Sequence, residues 1–179
     1  MTQRLLTAFA GATMMLTIAS PIPCLAASNT VTTLLAVDGD NQLETHAFVN
    51  CHSSSSSCEF IVGADLRTPD TVTGFPPDLW ARQTTEFRSS NRLAYLDVHV
   101  TDPPWNRVQK AGGQDVSTTI YLGEGPPDRY QTVGTIDSTD WQTGQPRTDE
   151  TVIVCTHVQV VYAGVNLTSP STCAQTSFS

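Results

Sequence analysis

Between residues 30 and 162 the chain repeatedly alternates apolar and polar side chains at every second position, the period of a strand with one buried face. Runs of this kind span 30–37 (TVTTLLAV), 43–51, 58–64, 93–101 (LAYLDVHVT), 116–122, 130–136 and 151–162, and clusters rich in Pro, Gly, Asp and Asn separate them. In the fourth run Ala94, Leu96, Val98 and Val100 fall on one face, with Tyr95, Asp97 and His99 on the other. In the last, Val152, Val154, Thr156, Val158, Val160 and Tyr162 share a face, while Ile153, Cys155 and Val161 keep the second face partly apolar, which predicts a central strand. Asp38-Gly39-Asp40-Asn41 has the chemistry of a hairpin turn. Only Pro77 to Gln83 suggests a helix, of about two turns, with proline near its start.

This pattern predicts an all-β fold: a two-sheet antiparallel β-sandwich of about seven to eight strands, immunoglobulin-like in architecture, with at most one short helix. A closed barrel is the alternative. Thr (26) and Val (16) are abundant, and their β-branched side chains favour strands over helices. The Cys-Trp-Cys spacing of antibody domains is missing, so the likeness to immunoglobulins is one of architecture only.

The first 27 residues read differently. One positive charge, Arg4, precedes the apolar run Leu5–Ala19, and Pro21 and Pro23 then lead to the small residues Ala26, Ala27 and Ser28. That order is expected of a signal peptide at 1–27, leaving a single disulfide-braced domain at 28–179. The run is too short to span a bilayer, which needs about 20 apolar residues. A lipid anchor at Cys24 fits poorly, because prolines 21 and 23 occupy positions where lipidation wants leucine and a small residue.

Removing that segment turns an odd count of five cysteines into four: Cys51, Cys58, Cys155 and Cys173. An even set in an exported chain predicts two disulfides, and proximity in sequence favours Cys51–Cys58 and Cys155–Cys173. The first pair would pin the base of the HSSSSS tract between two strands. Spacers of six and seventeen residues suit neither zinc nor a redox Cys-x-x-Cys pair.

Charge narrows the partners. Nine basic against seventeen acidic residues give a net charge of −8, which disfavours nonspecific binding to nucleic acid or anionic lipid. One lysine against eight arginines points to a GC-rich bacterial source.

No catalytic motif emerges. G-x-S-x-G, H-E-x-x-H and a phosphate-binding glycine loop are all missing. Asp38, Asp40, Gln42 and Glu44 imitate the start of a calcium loop, but Leu43 and Val49 stand where its glycine and closing acid belong. His52 beside the serine tract reads as a solvated hairpin-tip residue, and Asp149-Glu150 as a solvated turn. Asp97 and His99 share a strand face and could supply half of a metal or hydrolytic site, given a third residue from another strand. No cofactor is implied.

Three Pro-Pro pairs precede aromatics, at 75–80, 102–105 and 125–130. With Trp141, these segments supply Trp80, Trp105, Arg129 and Tyr130, residue types that anchor interfaces. The sequence therefore predicts an exported, non-catalytic binding protein of the bacterial cell envelope or medium, working through loops 52–57, 74–80, 102–107 and 123–130. Its partner would be another envelope or extracellular protein or a small ligand. The alternative is a small secreted hydrolase or metal-dependent enzyme built around Asp97 and His99. A further reading, an inhibitor inserting its braced serine loop into a partner, rests on 52–57.

Overall fold

A computed structural model describes residues 28–101 and 105–179. The expected signal peptide, Cys24, and residues 102–104 of the expected 102–107 loop lie outside the described residues. The described chain forms β1 (Ser28–Asp38), β2 (Asn41–His52), β3 (Ser57–Arg67), β4 (Val72–Thr73), β5 (Trp80–Ser89), β6 (Ala94–Thr101), β7 (Asn106–Ala111), β8 (Gln114–Leu122), β9 (Gln131–Asp140), β10 (Thr151–Tyr162), β11 (Val165–Thr168) and β12 (Thr172–Ser177). One turn of 3₁₀ helix, Pro127–Tyr130, precedes β9.

Two antiparallel sheets face each other. Sheet A has the order β1-β2-β3-β9-β6, with β4 on β3; sheet B has the order β11-β10-β5-β8-β7, with β12 also on β10. The protein is an all-β sandwich rather than a closed barrel. All seven alternating runs are strands, and β10 is interior to its sheet, pairing with β5 on one side and with β11 and β12 on the other. The 38–41 turn closes the β1–β2 hairpin, where Gly39 takes the positive φ (47°) that a side chain would resist.

The segment read as a helix is the main local correction. Residues 80–83 open strand β5, and the short helix lies at 127–130 instead. β5 is polar for a strand that has a neighbour on each side, and its inward residues are Ala81, Gln83, Thr85, Phe87 and Ser89. These side chains become legible as buried only once their partners are known.

Those partners form a layer of hydroxyls between two apolar clusters. Phe60 and Phe87 meet edge-to-face at 4.7 Å across the sheets in one cluster; Phe75, Leu79, Tyr121 and Tyr130 build the other. Between them Thr132 Oγ1 takes a hydrogen bond from Gln83 Nε2 (2.9 Å) and also contacts Tyr121 Oη (2.7 Å) and Thr119 Oγ1 (3.0 Å), while Thr85 pairs with Thr156 (3.0 Å). A Thr132→Val substitution keeps the shape but leaves buried polar atoms on Gln83 and Tyr121 short of a partner. It is expected to cost about 2 kcal/mol and to lower the melting temperature by about 4–8 °C, measurable by thermal unfolding.

Both predicted disulfides are present, each across directly paired strand positions with Cα–Cα distances of 4.0 Å. Cys51 and Cys58 sit wholly within the core, whereas Cys155 is half-buried and Cys173 exposed on the outer face of sheet B. The return from β10 is less simple than a single turn. It reverses at Ala163-Gly164, pairs as β11, is interrupted around Pro170, and resumes as β12. Proline has no N–H for the ladder, so it marks the interruption; Ser169 holds it closed by bonding Val158 through both backbone and hydroxyl.

Candidate functional site

Alternation along sheet B turns five strand positions outward at one corner. Trp80 lies opposite Leu122 and Val161; Ile120 lies opposite Arg82, and its N–H donates to the Trp105 carbonyl (3.0 Å). Trp80 is 36% exposed and Leu122 46%, both at strand ends, and Trp105, in the turn that enters β7, is 64% exposed. The two tryptophans are separated by two strand spacings, about 10 Å across the sheet. Arg82 and Arg107, two residues on from Trp80 and Trp105, face the same way. Among the described residues no ion pair reaches either arginine, although Arg88 and Arg92 both reach Glu86 (3.3 and 3.9 Å).

The other three predicted surface residues go elsewhere. Tyr130 is a correction: it is 1% exposed, stacks against Phe75 and Tyr121 (ring centroids 4.9 and 5.9 Å), and donates its hydroxyl to the Gly123 carbonyl (2.8 Å). Its ring fills the end of the core, and burial raises its pKa above that of a free phenol. Arg129 is exposed but occupied locally, donating to the carbonyls of Leu122 (2.9 Å) and Glu124, so it ties the 123–130 loop to the end of β8. Trp141 lies at the opposite end of the sandwich. It is 51% exposed, packs edge-on against Tyr95 (4.9 Å), and lines a small cavity of about 200 Å³ with Lys110, Gly112 and Gly113. The serine tract forms a tight exposed turn with Ser56 at φ 53°, and Ser53 N–H donates to the carbonyl of Ser179.

The third residue for Asp97 and His99 exists: it is Asp137, directly across from Asp97 on β9. His99 Nε2 is 3.5 Å from a carboxylate oxygen of each. Lys110 already bonds Asp97, all three side chains are at least a third exposed, and the array lies open on the outer face of sheet A. Among the described residues no group of three or more His, Cys, Asp or Glu side chains is arranged to hold a metal. Ser57 of β3 pairs with Asp137 from its other side, and Lys110 bridges Asp97 to Asp115, so the residues form an open charge network on the sheet face.

A second acid stands out. Asp65 is 5% exposed, one carboxylate oxygen has no partner among the described residues, and the other is 3.6 Å from His46 Nδ1. Burial, with Glu44 and Asp128 adding repulsion, raises its pKa from 3.8 to about 7. Below pH 4 the folded and unfolded carboxyls both hold a proton; between 4 and 7 the unfolded chain releases it first. Stability from this group is therefore lost as pH rises through that window and is level above it. His46, pulled below 6.5 by burial while Glu44 pushes it up, contributes the opposite slope as pH falls. Asp65→Asn is expected to remove the Asp65 slope and raise stability at pH 8, read from denaturant midpoints at pH 4, 6 and 8.

No protein-family model matches the chain, and no curated protein matches it. Among solved structures the chain is similar to a cohesin module from a family 33 glycoside hydrolase of Clostridium perfringens, at 12% identity and a TM-score of 0.44, covering 84% of this chain and 98% of that one.

Proposed function

We propose that the protein is an exported, non-catalytic interaction module of the cell envelope or medium, whose working surface is the outer face of sheet B around Trp80 and Trp105. One observation carries this: two exposed indoles, flanked by Ile120, Leu122 and Val161 and by two arginines that have no acidic partner among the described residues, converge on one face. Trp and Arg dominate the binding energy of interfaces, and an apolar patch rimmed by charge marks a docking surface. Export is supported by the leader pattern at 1–27, and the two disulfides fit an oxidising compartment. Among the described residues no helix is long and apolar enough to cross a membrane.

The test pairs Trp80→Ser with Trp105→Ser. Because both side chains already face solvent, the double variant should melt within about 2 °C of the parent yet lose retention on isolated envelope material from the producing organism. Equal retention of parent and variant, or no retention of either by a parent that also stays monomeric, would overturn the assignment of this face.

A further inference from the structure

The two outer faces of the sandwich differ in charge and in relief. On sheet B the outward strand positions carry Arg82, Arg88 and Arg107 against Glu86 alone. On sheet A they carry Glu44, Glu59, Asp97 and Asp137 against Arg67. A chain with a net charge of −8 thus keeps one face locally basic.

The acidic face also contains a depression. Phe48, Ile61, Val133 and Thr135 line a shallow cavity of about 200 Å³, with Glu59 among its walls. Gly134 forms part of the floor, and a Cβ there would collide with the His99 carbonyl and the Phe60 ring. Val133 stands 41% exposed beside it. This volume is below the roughly 300–1,000 Å³ of small-molecule sites and suits a single large side chain. Trp105, 64% exposed and two residues from Arg107, is such a side chain on the basic face.

We infer that the partner of the tryptophan face is a second copy of this chain: the indole of Trp105 seats in the Phe48–Ile61–Val133 depression of a neighbour, and Arg107 meets Glu59 and Asp137 at its rim. The inference rests on the reading of the sheet B corner as the working surface, and it names that surface's partner. Knob and depression lie on opposite faces of one molecule, so the contact is heterologous. A pair leaves the depression of one copy and the knob of the other free, and repetition yields an open linear array rather than a closed dimer. The contact joins opposite charges against the repulsion of two acidic molecules, so salt screens both the attraction and the repulsion; the array is held by local pairing, which high salt weakens.

Sedimentation equilibrium of the purified protein tests this with two single variants, Trp105→Ser (knob removed) and Val133→Arg (depression blocked and made basic). The parent should show a weight-average mass that climbs past the dimer with concentration and falls back in 0.5 M salt. Each variant alone should associate at least about thirty-fold more weakly, the effect of losing one interface anchor. An equimolar mixture should form a heterodimer and stop there, because the Val133→Arg copy keeps its knob and the Trp105→Ser copy keeps its depression. Unchanged melting temperatures exclude misfolding. A parent that stays monomeric, or a dimer that Val133→Arg does not weaken, would overturn the inference. If the monomeric parent is still retained on envelope material through Trp80 and Trp105, the binding-face reading stands and only the identity of the partner is wrong.

Discussion

Complete reduction of the two disulfides is expected to lower stability by about 5–6 kcal/mol, the sum of chain-entropy terms of about 2.5 and 3.2 kcal/mol for the shorter and longer loops. A domain of ordinary stability has only about 5–15 kcal/mol in hand, so the reduced protein should be largely unfolded at 37 °C. The two bonds should not open together. Cys155–Cys173 lies on the outer face of sheet B with Cys173 exposed, and a reductant reaches it directly. Cys51 and Cys58 are fully buried, and their bond becomes accessible only when the sandwich opens. Graded reduction followed by alkylation and peptide mass mapping should label residues 155 and 173 first; simultaneous labelling of all four would show that the core offers no such protection.

Replacing Asp115 with Ala is expected to cost about 2–3 kcal/mol, the penalty for leaving a buried N–H without its acceptor and losing a charge-assisted hydrogen bond. Asp115 is 3% exposed and joins the free edges of the two sheets. Its carboxylate accepts the Val98 N–H of β6 (3.3 Å) and an ammonium hydrogen from Lys110 of β7 (3.2 Å). Lys110 also bonds Asp97 and lies over the Tyr95 ring at 5.3 Å. Burial works against its charge, but the two carboxylates more than offset this and hold its pKa above that of a free lysine. Without Asp115 an edge N–H is left buried and unpaired, and the ammonium loses its inner partner. Asp115→Asn keeps an acceptor for Val98 and should cost about half as much. Chemical denaturation of the two variants measures the difference, and equal costs would assign the whole effect to the charge.

What the sequence revealed depended on how clearly each strand contrasts its two faces. β6 alternates apolar with polar residues, and β10 sets a valine-rich face against one kept partly apolar by Ile153, Cys155 and Val161, so their faces and the interior position of β10 were legible. The disulfide pairing was legible too, because the two members of each pair are close in sequence. β5 was not. Its inward face mixes Ala81, Gln83, Thr85 and Ser89 with a single phenylalanine, and its burial depends on hydroxyl partners contributed by β8, β9 and β10. Mistaking its start for a helix also hid the shared outward face of Trp80 and Arg82. Residue type alone grouped Tyr130 with the tryptophans, yet the core end formed by Phe75 and Tyr121 claims its ring. Likewise Asp137 joins Asp97 and His99 only through the β6–β9 register, which no local pattern encodes. Arg82, Arg107, Ile120 and Leu122 were missed for the same reason: a surface built across strands is written in the pairing.

Backbone amide exchange, compared between the free protein and the protein saturated with isolated envelope material, tests the proposed working surface most directly. Slowed exchange concentrated at residues 80–82, 105–109 and 118–122, with 53–57 and 141–149 unchanged, is the expected outcome. Protection confined to the serine turn or to the Trp141 end, with Trp80 and Trp105 as exposed as before, would contradict it.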